Sequence, residues 1–236
     1  MIAPTRIVVL TGAGISADSG VSTFRDRDGV WSKYDWREVA TAEGFAANPA
    51  LVHAFYNARR AGVAAAQPNA AHEALARLEA QFSNRLTLVT QNVDDLHERA
   101  GSRRVIHMHG ELQKARCTAC LSVHPWPHDL AVETPCPACG RDRVLRPDVV
   151  WFGEFPMYMD EIAAAISQAD LFVAIGTSGS VYPAAGFVAE ASAQGIPTIE
   201  LNLEPSENAF AFANARYGRA SEIVPLWVDE ILGKAR

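Results

Sequence analysis

Four cysteines in two close pairs, Cys117-x-x-Cys120 and Cys136-x-x-Cys139, have the spacing of a zinc ribbon, in which two tight knuckles supply four thiolates to a tetrahedral ion. A closed thiolate set leaves no open coordination position, so such an ion is structural and does not activate water. His124 and His128 offer a competing pair, but the chain between Cys120 and His124 is too short to fold back, and both are assigned to surface or loop. Unligated core cysteines and a ribbon that reads nucleic acid are the alternative readings of this segment.

A second constellation follows the apolar run Ile7-Val8-Val9-Leu10, where the chain breaks into Gly12-Ala13-Gly14-Ile15-Ser16. A β-branched run that ends in glycines lets the backbone turn tightly and bring N–H groups against a phosphate at the next helix. Three further runs end in polar residues: Leu86–Thr90 before Gln91-Asn92-Val93-Asp94, Leu171–Ile175 before Gly176-Thr177-Ser178, and Thr198–Leu201 before Asn202 and Glu204. In an open parallel sheet the carboxyl ends of strands line the ligand crevice, so these groups converge on one dinucleotide. A hydride-transferring dehydrogenase is opposed by the lack of a second strand ending in a ribose-binding acid about 20 residues past the glycines. A binding module that holds the dinucleotide without turnover is the non-enzymatic alternative. Asn92 and Asp94 can also serve as caps for a helix starting near Leu96.

Among the seven histidines, His107 and His109 lie two apart in a run read as extended, and only one of them is expected to enter the crevice. His109 is the choice, because Gly110 leaves room beside its imidazole. An unperturbed imidazole, with a pKa of about 6.5, can act as a general base near neutrality.

The strand-like runs alternate with Ala-rich helical stretches near 69–81, 158–167 and 184–194, which implies an α/β fold with a buried, Rossmann-like parallel sheet and helices on both faces. Residues 25–68, with a helix after Pro49, and 113–143, with all the cysteines, interrupt the alternation. They read as a helical module and a zinc-ribbon module of a smaller lobe, inserted into a dinucleotide-binding domain of residues 1–24, 69–112 and 144–236. The chain has 236 residues, is 49% hydrophobic and carries a net charge of −6. That suffices for one substantial core and argues against nucleic-acid binding by bulk electrostatics. Neither a secretory leader nor an apolar stretch of about 18 residues is evident, and paired cysteines without a leader favour metal over disulfides, so a cytoplasmic location is expected.

Taken together, Gly-Ala-Gly-Ile-Ser at 12–16, Phe24-Arg25, Gln91–Asp94, His109-Gly110, the paired cysteines, Val150-Trp151-Phe152-Gly153-Glu154, Gly176-Thr177-Ser178 and Asn202 closely resemble the sirtuins, and their bacterial members in particular. The resemblance runs from about Ile7 to Trp227. It implies an NAD-dependent protein-lysine deacylase, with NAD as co-substrate, one structural zinc ion and acyl-lysine proteins as partners. By the same resemblance the acyl oxygen attacks C1′ of the nicotinamide ribose as nicotinamide leaves. His109 then activates a ribose hydroxyl, and water releases the amine and O-acyl-ADP-ribose.

The remaining roles also rest on the resemblance. Gln91 and Asn92 order ribose and water, and Asp94 holds the nicotinamide amide. Arg25 positions phosphate and ribose, while Phe24 shields the reacting carbon. The backbone at Ala13, with Gly176 and Ser178, cradles the phosphates; Asn202 meets the adenosine ribose and Ala220 the adenine region. Gly12, Gly14, Ser16, Trp31, Val93, Thr177, Leu203 and Glu204 complete the cofactor set. Val150 to Glu154 reads as an apolar strand ending at Gly153. The resemblance makes it the strand that pairs with the substrate peptide, with the Val150 carbonyl on the acyl-lysine N–H, Phe152 on the lysine stem, and Gly153 and Glu154 beside them.

Tyr56 and Arg59, three apart in the helix after Pro49, share a face. Pattern alone favours a surface arginine beside a packed tyrosine. The resemblance makes Tyr-x-x-Arg the signature of sirtuins that remove succinyl and malonyl groups, since Arg can grip a carboxylate with two hydrogen bonds and Tyr can add a third. Ser22 and Arg27 flank Phe24 at positions that depart from the pattern of familiar relatives.

Overall fold

A computed structural model describes residues 4–21 and 34–233. Its strands are β1 (Ile7–Thr11), β2 (Leu86–Thr90), β3 (Val105–His107), β4 (Gly110–Cys117), β5 (Val123–Pro125), β6 (Leu145–Val149), β7 (Leu171–Ile175), β8 (Thr198–Asn202) and β9 (Asn214–Tyr217). Its α-helices are α1 (Gly14–Ala17), α2 (Trp36–Val39), α3 (Ala42–Ala47), α4 (Pro49–Ala65), α5 (Ala70–Phe82), α6 (Leu96–Arg99), α7 (Met159–Ser167), α8 (Phe187–Ala193) and α9 (Ala220–Ile231).

Strands β1 and β7 are buried along their whole length, as expected of a parallel sheet covered on both faces. Alternation sorts the side chains of β1. Ile7 and Val9 pack with Leu75 and Leu78 of α5 and Val224 and Trp227 of α9, while Val8 and Leu10 pack with Ile162 and Ile166 of α7 and Phe187 of α8. Each fully buried Leu or Ile contributes about 1.5–3 kcal/mol of transfer free energy, so this double-sided packing is what holds the central strand. The six-stranded sheet has the order β3-β2-β1-β7-β8-β9 with every pairing parallel. That is the doubly wound order, with its switch point between β1 and β7.

A second, three-stranded antiparallel sheet has the order β5-β4-β6. Helix α4 packs on it through Val52, Phe55 and Tyr56, against Leu112, Val149 and Trp151. The helix starts cleanly because the Asn48 side chain accepts from Leu51 N at 3.1 Å and Pro49 occupies the first turn, where a missing N–H costs nothing. Asn57 then clamps the cysteine-bearing segment. Its amide donates to the Leu130 carbonyl at 3.1 Å and accepts from Leu130 N at 3.0 Å.

Two expectations need correction. Val150 to Glu154 is not a strand: β6 ends at Val149, and within 150–154 only Phe152 forms an isolated bridge, to Thr41. Gly153, at φ +89°, reverses the chain in a conformation that suits glycine. The stretch near 184–194 is also divided, with a 3-10 turn at Ala184–Gly186 before α8.

Candidate active site

The carboxyl edge of the large sheet is built glycine against glycine. Gly12 N donates to the Ile175 carbonyl and Gly14 N to the Gly176 carbonyl, both at 2.9 Å. A Cβ on Gly12 would lie 2.7 Å from the Gly176 oxygen, and one on Gly176, at φ +63°, would lie 2.5 Å from Ile15 N. The turn after β1 and the turn after β7 therefore interlock with no room for side chains, and Ala13 sits at the head of α1 between them. Asn202 extends the edge: its amide donates to the Thr177 carbonyl at 2.8 Å and its oxygen accepts from Leu203 N at 3.0 Å. Leu203 and Glu204 are exposed beyond it, and Ala220 is buried at the start of α9.

Ser16 is the hub of a buried network behind this edge. Its hydroxyl donates to Asp94 Oδ2 at 3.1 Å and accepts from the Asn92 amide at 3.1 Å. The same Asn92 amide also reaches the Gly12 carbonyl at 3.2 Å, which commits both of its protons and leaves Oδ1 free to accept. His72 approaches Ser16 from α5. Asn69 N donates to His72 Nδ1 at 3.3 Å, so Nε2 carries the proton and faces Ser16 Oγ at 3.4 Å. Burial pushes His72 down to about 4, which keeps that ring neutral. Burial pushes the Asp94 carboxyl upward, opposed by hydrogen bonds from Leu96 N and Ser16. Asp94 accepts from Leu96 N at 3.2 Å, so it caps α6 while belonging to the network. Gln91 donates its backbone N–H to the Thr11 carbonyl at 2.9 Å, and Val93 takes the N–H of Leu112 at 2.8 Å.

His109 lies just past β3. Its Nδ1 is 3.1 Å from the Gln91 carbonyl; a carbonyl only accepts, so Nδ1 carries the proton and Nε2 presents the lone pair. Burial lowers the pKa of this ring, favouring the neutral form that a base requires. Side chains two apart in a strand share a face, so an extended 105–109 would not have separated the two histidines. The separation comes from β3 stopping at His107. His107 turns away, with Nδ1 on the Asn92 carbonyl at 3.2 Å and Nε2 on Glu98 at 2.8 Å. Gly110, at φ +80°, is required here, because its Cβ would lie 2.1 Å from the Asp148 carbonyl oxygen.

On the other side of the crevice, Tyr56 is buried and its hydroxyl accepts from Trp151 Nε1 at 3.0 Å. The Arg59 guanidinium stands 5.6 Å from the Tyr56 ring centre and 5.8 Å from that of Phe55. Arg59 keeps part of its surface open. Burial among neighbouring atoms still pushes the guanidinium down, and Tyr56 and the Asp94 carboxylate oppose that shift. Phe152 is half-exposed, stacks 4.7 Å from Trp36 and donates its N–H to the Ala40 carbonyl. The carboxylate of Glu154 is turned inward, onto Arg146 at 2.6 and 2.9 Å and Trp151 N at 2.8 Å. Val150 donates its N–H to the His109 carbonyl at 2.8 Å.

The four cysteine sulfurs all lie within 4.8 Å of one another, with Cys117–Cys139 and Cys120–Cys136 each at 3.8 Å. Zn–S bonds of about 2.3 Å at the tetrahedral angle place sulfurs roughly 3.8 Å apart, so the residues fit the ion. Cys117 Sγ accepts from Ala119 N and Cys120 N at 3.4 Å, the hydrogen bonding a thiolate needs. His124 is not among the ligands. It holds Ser122 Oγ at 2.9 Å, and that hydroxyl lies 3.1 Å from Cys120 Sγ. Phe24, Arg25 and Trp31, with Ser22 and Arg27, lie outside the described residues.

Comparison with known proteins agrees with this geometry. A profile of the Sir2 family matches residues 12–183. The chain belongs to the Sir2 family. A protein of Caulobacter vibrioides named NAD-dependent protein deacylase is 63% identical over 232 residues, covering 97% of this chain and 98% of that protein. A solved Sir2 homologue in complex with NAD superposes with a TM-score of 0.89 at 39% identity, over 98% of this chain and 90% of the other. A Sir2 structure bound to an acetylated peptide superposes with a TM-score of 0.83 at 28% identity, over 98% of this chain and 95% of the other.

Several residues around this Sir2-family site were not legible as functional. Trp151 entered only as part of the Val150–Glu154 motif, with no role of its own, and nothing local distinguishes Arg146. His72 sits in an Ala-rich helix, where nothing local distinguishes it. Asp18, four residues past Gly14, accepts from Ser221 N and Ser221 Oγ at 3.3 and 2.7 Å and so ties the end of α1 to the start of α9. Only its place directly after the glycines hinted at a role.

Proposed function

We propose that this chain is an NAD-dependent protein-lysine deacylase that removes acetyl groups and, through Tyr56 and Arg59, acidic acyl groups such as succinyl and malonyl. The observation that carries the reading is the meeting of a neutral imidazole, with Nε2 presented, and the Ser16–Asn92–Asp94 network at the edge where Gly12 and Gly176 interlock. Sir2-family membership adds the printed activity of the relatives. In this reading Ala13, Gly14, Gly176, Thr177 and Ser178 hold the phosphates, and Asn202, Leu203, Glu204 and Ala220 the adenosine. Gln91, Asn92, Val93 and Asp94 hold the nicotinamide ribose and amide, with Phe24, Arg25 and Trp31 completing the set.

NAD supplies an electrophilic ribose carbon and a leaving group, and the chain does the rest. Asp94 orients the amide of the leaving group, and Asn92 Oδ1 orders a hydroxyl or water. His109 Nε2 takes a ribose hydroxyl proton, and its imidazolium is steadied by the Gln91 carbonyl on Nδ1. The Val150 carbonyl and Phe152 hold the lysine, Gly153 shapes the turn and Glu154 braces it. Cys117, Cys120, Cys136 and Cys139 hold a structural zinc ion. The division into a dinucleotide-binding domain and a smaller lobe of 25–68 and 113–143 belongs to this proposal, as does a cytoplasmic location. No helix among the described residues is long and apolar enough to cross a membrane.

Acetylated and succinylated peptides incubated with and without NAD, with mass spectrometry of the products, test the reading. Nicotinamide and O-acyl-ADP-ribose appearing only with NAD are expected. Cofactor binding without turnover, or a rise in NADH absorbance, would overturn it.

A further inference from the structure

Beside Tyr56 and Arg59 lies a tryptophan whose one polar atom is fully accounted for. Trp151 is 3% exposed, and its indole N–H, a donor with no acceptor capacity, meets the Tyr56 hydroxyl oxygen at 3.0 Å. Its ring cannot drift. The Arg146 guanidinium carbon lies 3.4 Å from the indole centre, and Arg146 is itself forked onto both Glu154 oxygens and bonded to the Val149 carbonyl at 2.7 Å. Glu154 closes the loop by accepting the backbone N–H of Trp151 at 2.8 Å. Arg146, Glu154 and Trp151 form one rigid strut that ends on a single oxygen atom.

The direction of that last hydrogen bond matters. A hydroxyl that accepts from an indole cannot send its own proton back along the same line, so the Tyr56 proton is directed elsewhere. The Arg59 cation on the same face supplies only donors and cannot take that proton either. Among the described residues no hydrogen bond takes that proton, and a carboxylate is acceptor-only, whereas an acetyl methyl offers nothing.

We propose that Trp151 is a specificity-determining positioning residue, which acts through Tyr56 by fixing its hydroxyl as a donor toward the carboxylate of an acidic acyl-lysine. This inference rests on the acidic-acyl reading of Tyr56 and Arg59.

Trp151→Phe keeps an aromatic face for Arg146 and deletes the N–H together with part of the ring, a packing loss that both peptides share, so the ratio is what to measure, with kcat and KM taken on matched acetyl and succinyl peptides. A neutral hydrogen bond of ordinary strength corresponds to about a two- to tenfold change. The succinyl-to-acetyl ratio of kcat/KM should fall by that factor, mainly through a higher KM for the succinyl peptide, because the contact exists already in the ground state. In a Tyr56→Phe background the same substitution should change the ratio no further, since the atom through which it acts is gone. Equal losses on both peptides would mark Trp151 as structural only and overturn the proposal. So would an unchanged ratio, or effects of the two substitutions that simply multiply. Arg59→Met separates the levels. If it lowers the ratio and Trp151→Phe does not, the proposal fails and the acidic-acyl reading stands; if Arg59→Met leaves the ratio unchanged, that reading fails and the proposal with it.

Discussion

Gly14 and Gly176 touch backbone to backbone across the switch point of the sheet: Gly14 N donates to the Gly176 carbonyl at 2.9 Å, and a Cβ on Gly14 would lie 2.7 Å from the Gly176 Cα. The turns that follow β1 and β7 are therefore one surface, and their backbone contact exists only while both are glycine. Gly176→Ala, which also forces a left-handed residue, is expected to raise KM for NAD by about tenfold or more, while a folded circular-dichroism spectrum is retained. The barrier to a left-handed non-glycine residue, about 1–2 kcal/mol, and overpacking, about 1–3 kcal/mol, set that scale.

His109→Ala should abolish deacylation yet leave NAD affinity, read by calorimetry, within a few-fold of the parent. In the proposed mechanism the imidazole acts on a seated cofactor and is not among the groups that cradle it. The pH profile carries the sign of the burial effect. With the His109 pKa below its ordinary 6.5, the base form already dominates at neutrality, so kcat/KM should stay level above pH 7. It should fall only as acid protonates the ring, with a midpoint below 6.5. A midpoint above 7 would contradict the buried, carbonyl-paired ring.

Arg59→Met should lower the succinyl-to-acetyl ratio of kcat/KM roughly ten- to a hundredfold, the worth of a charged hydrogen bond of about 1.5–3 kcal/mol. Tyr56→Phe should shift the ratio in the same direction by less. Matched peptide kinetics decide both.

Cys136→Ala, or prolonged chelation, should release the metal and lower the melting temperature, because ligand loss from a closed thiolate site forfeits metal-coupled folding energy. Metal content by atomic emission and a thermal scan are the measurements. Stoichiometric zinc with an unchanged melting temperature in Cys136→Ala would contradict the assignment.

What could be read in the sequence followed the strength of the local signal. Strands β1, β2, β7 and β8 are apolar runs that end in glycine or amide residues, and burial on both faces imposes that pattern. The cysteine spacing is equally direct. Strand β9 was missed because all four of its residues are exposed, so it has no apolar face to betray it. Val150 to Glu154 misled as a strand because Trp151 and Phe152 are apolar for different reasons: one is buried against Arg146 and the other stacks on Trp36. The network around Ser16 draws on α1, α5 and the segment after β2. Such a meeting of distant residues leaves no periodicity to find.

Strand β1 pairs with its sequence neighbour β2 on one side, but on the other Ile7 lies opposite Leu171. The innermost pairing of the sheet must therefore close a very long loop before any of its contacts reward the lost chain entropy. Until β7 has emerged from the ribosome, β1 presents an unpaired apolar edge of the kind that joins foreign strands. The glycine turn after it also lacks the Ile175 and Gly176 carbonyls that shape it. Cofactor binding can therefore report only on chains whose synthesis has passed Gly176, and early arrest leaves a product open to aggregation.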